Sequence, residues 1–219
     1  MIEAQTFVFL KNLAENNNRD WFLENKPQYE QAKENVIDFA GQLIMLLAKT
    51  DPNIRADTDP KKCVMRIYRD IRFSKDKTPY KNNFGINFKT GSGNAELGYY
   101  LHIQPEHSFT GGGYWMPQAD HLKAIRQEID YNGAVLNAVI SDASFTNDFS
   151  AFDQQEQLKN NPKGYEAGHP YINLLKLKSF AATHPLTNKE LTDKNAVQNV
   201  AGYLAKILPL NNFLIQALH

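Results

Sequence analysis

Apolar positions three and four apart dominate the first fifty residues. Phe7, Phe9, Leu10 and Leu13 mark a short amphipathic helix over 6–13. Asn16, Asn17 and Asn18 interrupt it, because an asparagine side chain competes for backbone hydrogen bonds and suits turns and caps. Asn18 stands where it would cap a second short helix carrying Trp21 and Phe22. Pro27 fits a first helical position. From there Tyr29, Ala32, Val36, Phe39, Ala40, Leu43 and Leu47 continue the helical spacing, which predicts one long amphipathic helix.

After a polar loop over 51–60 the period drops to two. Over 63–73 the odd positions are Cys63, Met65, Ile67, Arg69, Ile71 and Phe73, and the even ones include Arg66, Tyr68, Asp70 and Arg72. That alternation predicts a half-buried strand. Further strands are expected over 84–89, 98–104 and 107–115, with turns at Gly91-Ser92-Gly93-Asn94 and Pro105-Glu106. Together they make an antiparallel sheet of about four strands.

Helical spacing returns at Leu122, Ile125 and Ile129 and, after Gly133, at Val135, Leu136, Val139 and Ile140. Residues 142–170 are less regular. A helix is expected over 170–182, with Leu174, Leu175, Leu177 and Phe180 as its apolar face. Asp193 would cap a final helix through Ala196, Val197, Val200, Tyr203, Leu204, Ile207 and Leu208, ended by Pro209. Helices, a strand block and helices again point to a single α+β domain over 1–219, an antiparallel sheet flanked by N- and C-terminal helices.

Composition narrows the function classes. The 219 residues carry 24 basic and 24 acidic side chains, so there is no overall attraction to nucleic acid or anionic membrane. The one cysteine, Cys63, excludes an internal disulfide, agrees with a reducing compartment and falls on the expected apolar face as inert core. The first residues lack a positively charged leader, and the apolar run over 43–48 is far short of a membrane span. A cytoplasmic protein with no membrane partner is the expectation.

Charge is concentrated locally. Residues 61–81 hold eight of the 24 basic side chains and only two acids, Asp70 and Asp76. On an extended strand Arg66, Tyr68, Asp70 and Arg72 would share a face, with the outer arginines roughly 20 Å apart. Guanidinium forks match phosphate or carboxylate, and an aspartate beside them would restrain the fork. We therefore expect an anionic, phosphate-bearing ligand at Arg66, Arg69, Arg72, Lys75, Lys77 and Lys81, oriented by Tyr68, Asp70 and Tyr80. One alternative is a phosphoesterase- or nuclease-like hydrolase with Asp70 or Asp76 as base or metal ligand. Another is an interaction module whose basic strand and loop dock an acidic protein partner. Nucleic acid is the weaker candidate partner.

No cofactor motif is present: there is no P-loop, dinucleotide fingerprint, nucleophile elbow or paired zinc-ligand motif. His102, His107 and His121 lack ligand spacing with a cysteine or carboxylate, so no metal is expected. On a strand, His102 would share its face with Tyr100 and Gln104. Gly111-Gly112-Gly113 reads as a bulge or tight bend.

The segment RIYRDIRFSKDKTPYKNNFG over 66–85 resembles the signature of the DUF2461 family, a domain of unknown function in bacteria and fungi. FLKNLAENNNRDWFLENKPQYE over 9–30, YYLHIQP over 99–105, GGGYWMP over 111–117 and NPKGYEAGHPYINLLKLKSF over 161–180 match as well. The resemblance covers nearly the whole chain. It implies a single domain and carries over no catalytic roles.

Overall fold

The computed structural model describes residues 1–90, 95–150, 152 and 157–219. The expected turn at 91–94 lies outside them. The elements in chain order are helices α1 (Ala4–Glu15), α2 (Arg19–Glu24), α3 (Lys26–Leu47) and α4 (Pro60–Cys63), and strands β1 (Phe84–Lys89), β2 (Leu97–Ile103) and β3 (Ser108–Tyr114). Then come helices α5 (Ala119–Ser141), α6 (Ala143–Thr146) and α7 (Ile172–Leu175), strand β4 (Phe180–Leu186), and helices α8 (Asn188–Thr192) and α9 (Ala196–Gln216). The class is α+β, with one four-stranded antiparallel sheet in the order β1-β2-β3-β4.

The chain divides into two compact units. The first comprises Met1–Phe88, Tyr100–Thr110 and Pro185–Gly202. Its N-terminal helices form as their spacing demands. Asn18 accepts from the Trp21 amide at 2.9 Å and so caps α2, and Lys26-Pro27 opens α3. Phe9, Leu10 and Leu13 of α1 are buried, as are Val36, Phe39, Ala40 and Leu43 of α3. Asn35 ties α3 to the start of the chain, its side-chain oxygen accepting from the Glu3 amide and the Thr6 hydroxyl, both at 2.9 Å.

The second unit comprises Lys89–Tyr99, Gly111–His184 and Tyr203–His219. Here α5 buries Ile125, Ile129 and Leu136, and bends at Asn132, whose backbone leaves the helical region. Gly133 follows because the Tyr171 ring occupies the place of a side chain: a Cβ there would lie 2.3 Å from it. Arg126 donates to the carbonyls of Leu175 at 2.8 Å and Leu177 at 3.3 Å, holding the end of α7.

Three expectations are corrected. The strand over 63–73 does not form. Asp59 accepts from the Lys61 amide at 3.0 Å and, with Pro60, starts the helical turn that contains Cys63. Beyond it only the isolated bridges Val64 to Ile86 and Tyr68 to Tyr80 remain. Cys63 and Ile67 are buried, but Met65 is exposed and Phe73 is 95% exposed, so the supposed apolar face does not exist. The fourth strand is instead β4, in the stretch expected to be helical over 170–182. Only Ile172–Leu175 is helical there, and Phe180 and Ala182 then bury on alternate positions. Finally, α9 runs through Pro209 to Gln216. A proline removes one backbone donor, and the apolar face that resumes with Leu210, Phe213 and Leu214 outweighs that loss.

The three consecutive glycines explain why β4 can pair where it does. A Cβ on Gly111 would sit 2.1 Å from the Ala182 carbonyl oxygen, and one on Gly113 would sit 2.0 Å from that of Phe180. Gly113 also has φ +110°, which side-chain-bearing residues avoid. The expected bulge is therefore a close approach of two backbones within the sheet.

Candidate functional site

The basic segment is a braced loop. Its neck is the antiparallel bridge between Tyr68 and Tyr80, flanked by the Arg69 amide donating to the Pro79 carbonyl at 2.9 Å and the Lys81 amide donating to Ile67 at 2.8 Å. Both tyrosines pack on Phe22 of α2, Tyr80 in a parallel stack with centroids 4.0 Å apart. Asn17 finishes the neck. Its side-chain amide donates to the Tyr80 carbonyl at 2.9 Å and its oxygen accepts from the Tyr80 amide at 3.1 Å, as a neighbouring strand would. The asparagine run thus caps one element and pairs with another.

Inside the loop most of the charge is used internally. Arg69 donates to the Asp76 carboxylate and the Thr78 hydroxyl. Asp76 also accepts from the Thr78 amide at 2.9 Å. That amide, then Arg69 and the Thr78 hydroxyl, hold the Asp76 carboxyl down at about 2. Arg72 forks onto Asp70, Nε to Oδ1 at 3.0 Å and Nη2 to Oδ2 at 2.6 Å. Its side chain is the main cause of the lowered Asp70 pKa. Lys77 donates to the Ile71 carbonyl at 2.9 Å. These pairs are exposed, so they shape the loop more than they stabilise the fold.

Of the six cations expected at the site, three are left over. Among the described residues no carboxylate lies within ion-pairing reach of Arg66, Lys75 or Lys81. Lys75 is exposed, whereas Lys81 is half-buried. Burial lowers the Lys81 pKa, and the Arg66 charge lowers it further. The Lys81 amide bond to Ile67 sets this partly buried lysine beside the backbone of Arg66, whose charge also acts on the Asp70 carboxylate.

A second group is one that the sequence placed on a common strand face without giving it a role. Tyr100, His102 and Gln104 are half-buried along one face of β2 and just beyond it. The Tyr100 hydroxyl meets His102 Nδ1 at 3.1 Å, and His102 Nε2 meets Gln104 Oε1 at 2.8 Å. Phe109 of β3 stacks on the imidazole with centroids 4.8 Å apart and 13° between planes. Gly85 links this face to the loop: a Cβ there would lie 2.8 Å from Tyr100 Oη and 2.9 Å from Met65 Sδ, and the Met65 amide, one residue before Arg66, donates to the Gly85 carbonyl at 2.8 Å. The signal for the grouping was the two-residue alternation; nothing in the spacing showed that the loop would come near.

Of the predicted site residues, Arg66 and Lys81 come together where the Lys81 amide bonds Ile67, the residue after Arg66; Arg66 and Lys75 are exposed and Lys81 is half-buried. Arg69, Asp70, Arg72 and Lys77 are engaged within the loop as braces, and Tyr68 and Tyr80 form the neck. The other weighed histidines lie apart in role: His107 is exposed, and His121 Nδ1 bonds the Tyr114 hydroxyl at 2.7 Å. Among the described residues no group of three side chains is placed to hold a metal ion, and no helix is long and apolar enough to cross a membrane. Cys63 is buried, and its thiol pKa is pushed up by that burial.

The model of a family described as a conserved hypothetical protein, DUF2461, matches residues 5–213. The chain belongs to the DUF2461 family. The match takes in the braced loop, the leftover cations and the Tyr100 to Gln104 face. Comparisons with curated proteins and with solved structures found no match.

Proposed function

We propose that this DUF2461 protein binds an anionic, phosphate-bearing ligand at Arg66 and Lys81, with Lys75 adding charge at the rim. The observation that carries the reading is the pair itself. Holding two cations together with one partly desolvated costs free energy, and a bound phosphate offsets it. Arg69, Arg72, Lys77 and Asp70 serve as the frame, with Tyr68 and Tyr80 fixing its base. A cytoplasmic location without membrane attachment belongs to the same reading, since phosphate metabolites abound there.

A thermal-shift titration with inorganic phosphate, sugar phosphates and nucleotides tests this. At roughly a hundredfold excess over Kd a ligand confined to the native state adds about 2.7 kcal/mol. The stabilisation is expected to weaken with salt, to vanish in Arg66→Ala/Lys81→Ala and to persist in Arg72→Ala. Equal stabilisation of the double variant would sink the proposal.

A second reading is favoured by Phe73. It is 95% exposed at the loop tip between Arg72 and Lys75, so the loop presents an aromatic ring flanked by cations. That suits an acidic protein partner. The hydrolase built on Asp70 and Asp76 has less support, because each acid accepts from an arginine.

A further inference from the structure

The hydrogen bonds along β2 have a direction. The Gln104 oxygen can only accept, so with that oxygen turned to the ring His102 carries its proton on Nε2. Nδ1 is then an acceptor, and the Tyr100 hydroxyl donates to it. A hydroxyl, an imidazole base and a third group that orients the base are the parts with which proteins activate oxygen nucleophiles. The face is built around them. Gly85 gives the phenol its room, since a Cβ there would lie 2.8 Å from Tyr100 Oη and 2.9 Å from Met65 Sδ, and the Phe109 stack fixes the ring of His102.

We propose that Tyr100, His102 and Gln104 form a proton relay that hydrolyses a phosphate monoester whose phosphate rests on Arg66 and Lys81. The inference depends on the anion site above and moves the chemistry from Asp70 and Asp76 to β2. A water gives a proton to Tyr100 Oη while the phenolic proton passes to His102 Nδ1. The water oxygen bonds to phosphorus, and the ester P–O bond breaks with its electron pair on the alcohol oxygen. That oxygen takes a proton from solvent, and the imidazolium returns its proton to solvent through Tyr100. Gln104 holds the tautomer throughout, and Lys81 and Arg66 offset the charge on the phosphoryl oxygens. Burial lowers the His102 pKa, Gln104 opposes this, and His107 and Lys81 lower it further, so the imidazole rests neutral and able to accept.

The test uses the full chain with 4-nitrophenyl phosphate at neutral pH, alongside thermal shift with inorganic phosphate. Turnover is expected, and Tyr100→Phe and His102→Gln should each lower kcat by about 100-fold or more. KM and the phosphate-induced shift should hold in both variants. Nitrogen NMR of the unmutated protein should find His102 as the neutral Nε2–H tautomer, a result that depends on no variant folding. A phosphate shift that needs Arg66 and Lys81 but comes without release of 4-nitrophenolate overturns the relay and leaves the anion site standing. Turnover unchanged in both variants, or an Nδ1–H tautomer, also overturns it. No phosphate stabilisation overturns both.

Discussion

Single atoms decide what the β2 face can do. Gly85→Ala would push a methyl group against Tyr100 Oη and Met65 Sδ, both at the ends of flexible side chains. Those tips can swing aside, so urea denaturation should show a loss of only about 1 kcal/mol. The displaced phenol should nevertheless release His102 Nδ1, which NMR would register as a changed chemical shift at that nitrogen. An unchanged Nδ1 signal would mean that the hydroxyl never bonded there. Asp76 gives a pH prediction of definite sign. Its folded pKa, about 2, lies below the ordinary carboxylate value, so its contribution is present above roughly pH 4 and is lost as pH falls towards 2. The difference in melting temperature between the protein and Asp76→Asn should therefore shrink across that interval. A difference that stays constant with pH would show that Asp76 does not brace the loop as a carboxylate.

Elements follow from such local rules only where neighbours permit. The helices α1 to α3 carry an apolar stripe, an asparagine cap and a proline at an allowed position, and any partner surface would be met by the same stripe. The strand β4 is different. Leu174, Leu175, Leu177 and Phe180 satisfy a helical spacing, yet the chain leaves the helix after Leu175 and is extended from Phe180. What the local spacing does not contain is the place that Gly111 and Gly113 leave for its backbone. Gly111→Ala should thus cost at least about 3 kcal/mol, because its Cβ meets backbone that cannot rotate away. Chemical denaturation measures this, and a cost below that of Gly85→Ala would refute the account.

At the scale of the whole molecule the net charge is zero, so general electrostatic attraction is weak and a basic loop must act locally. Added salt should leave the melting temperature of the unliganded protein nearly unchanged while eroding the extra stability conferred by phosphate. Differential scanning calorimetry at two salt concentrations, with and without phosphate, separates the two effects. A ligand shift that resists salt would argue against Arg66 and Lys81 as its source. The internal pairing of the loop bears on this, since cations already paired contribute less to a salt-sensitive ligand.

The sequence by itself determined the fold class, the N-terminal helices and the three strands from β1 to β3, because side-chain periodicity records which face of an element is buried. It also located the basic segment and, through their alternation, put Tyr100, His102 and Gln104 on one face. Tertiary structure alone decided that residues 64–83 are a braced loop, that β4 completes the sheet, and that α9 continues beyond Pro209. It also chose which cations remain unpaired. Arg66 and Arg72 look alike in sequence; Arg72 is claimed by Asp70 two residues away, and Arg66 is brought near Lys81 by the neck of the loop. Spacing along a chain specifies the direction of side chains on one element, whereas ion pairing and backbone approach depend on the distance between elements.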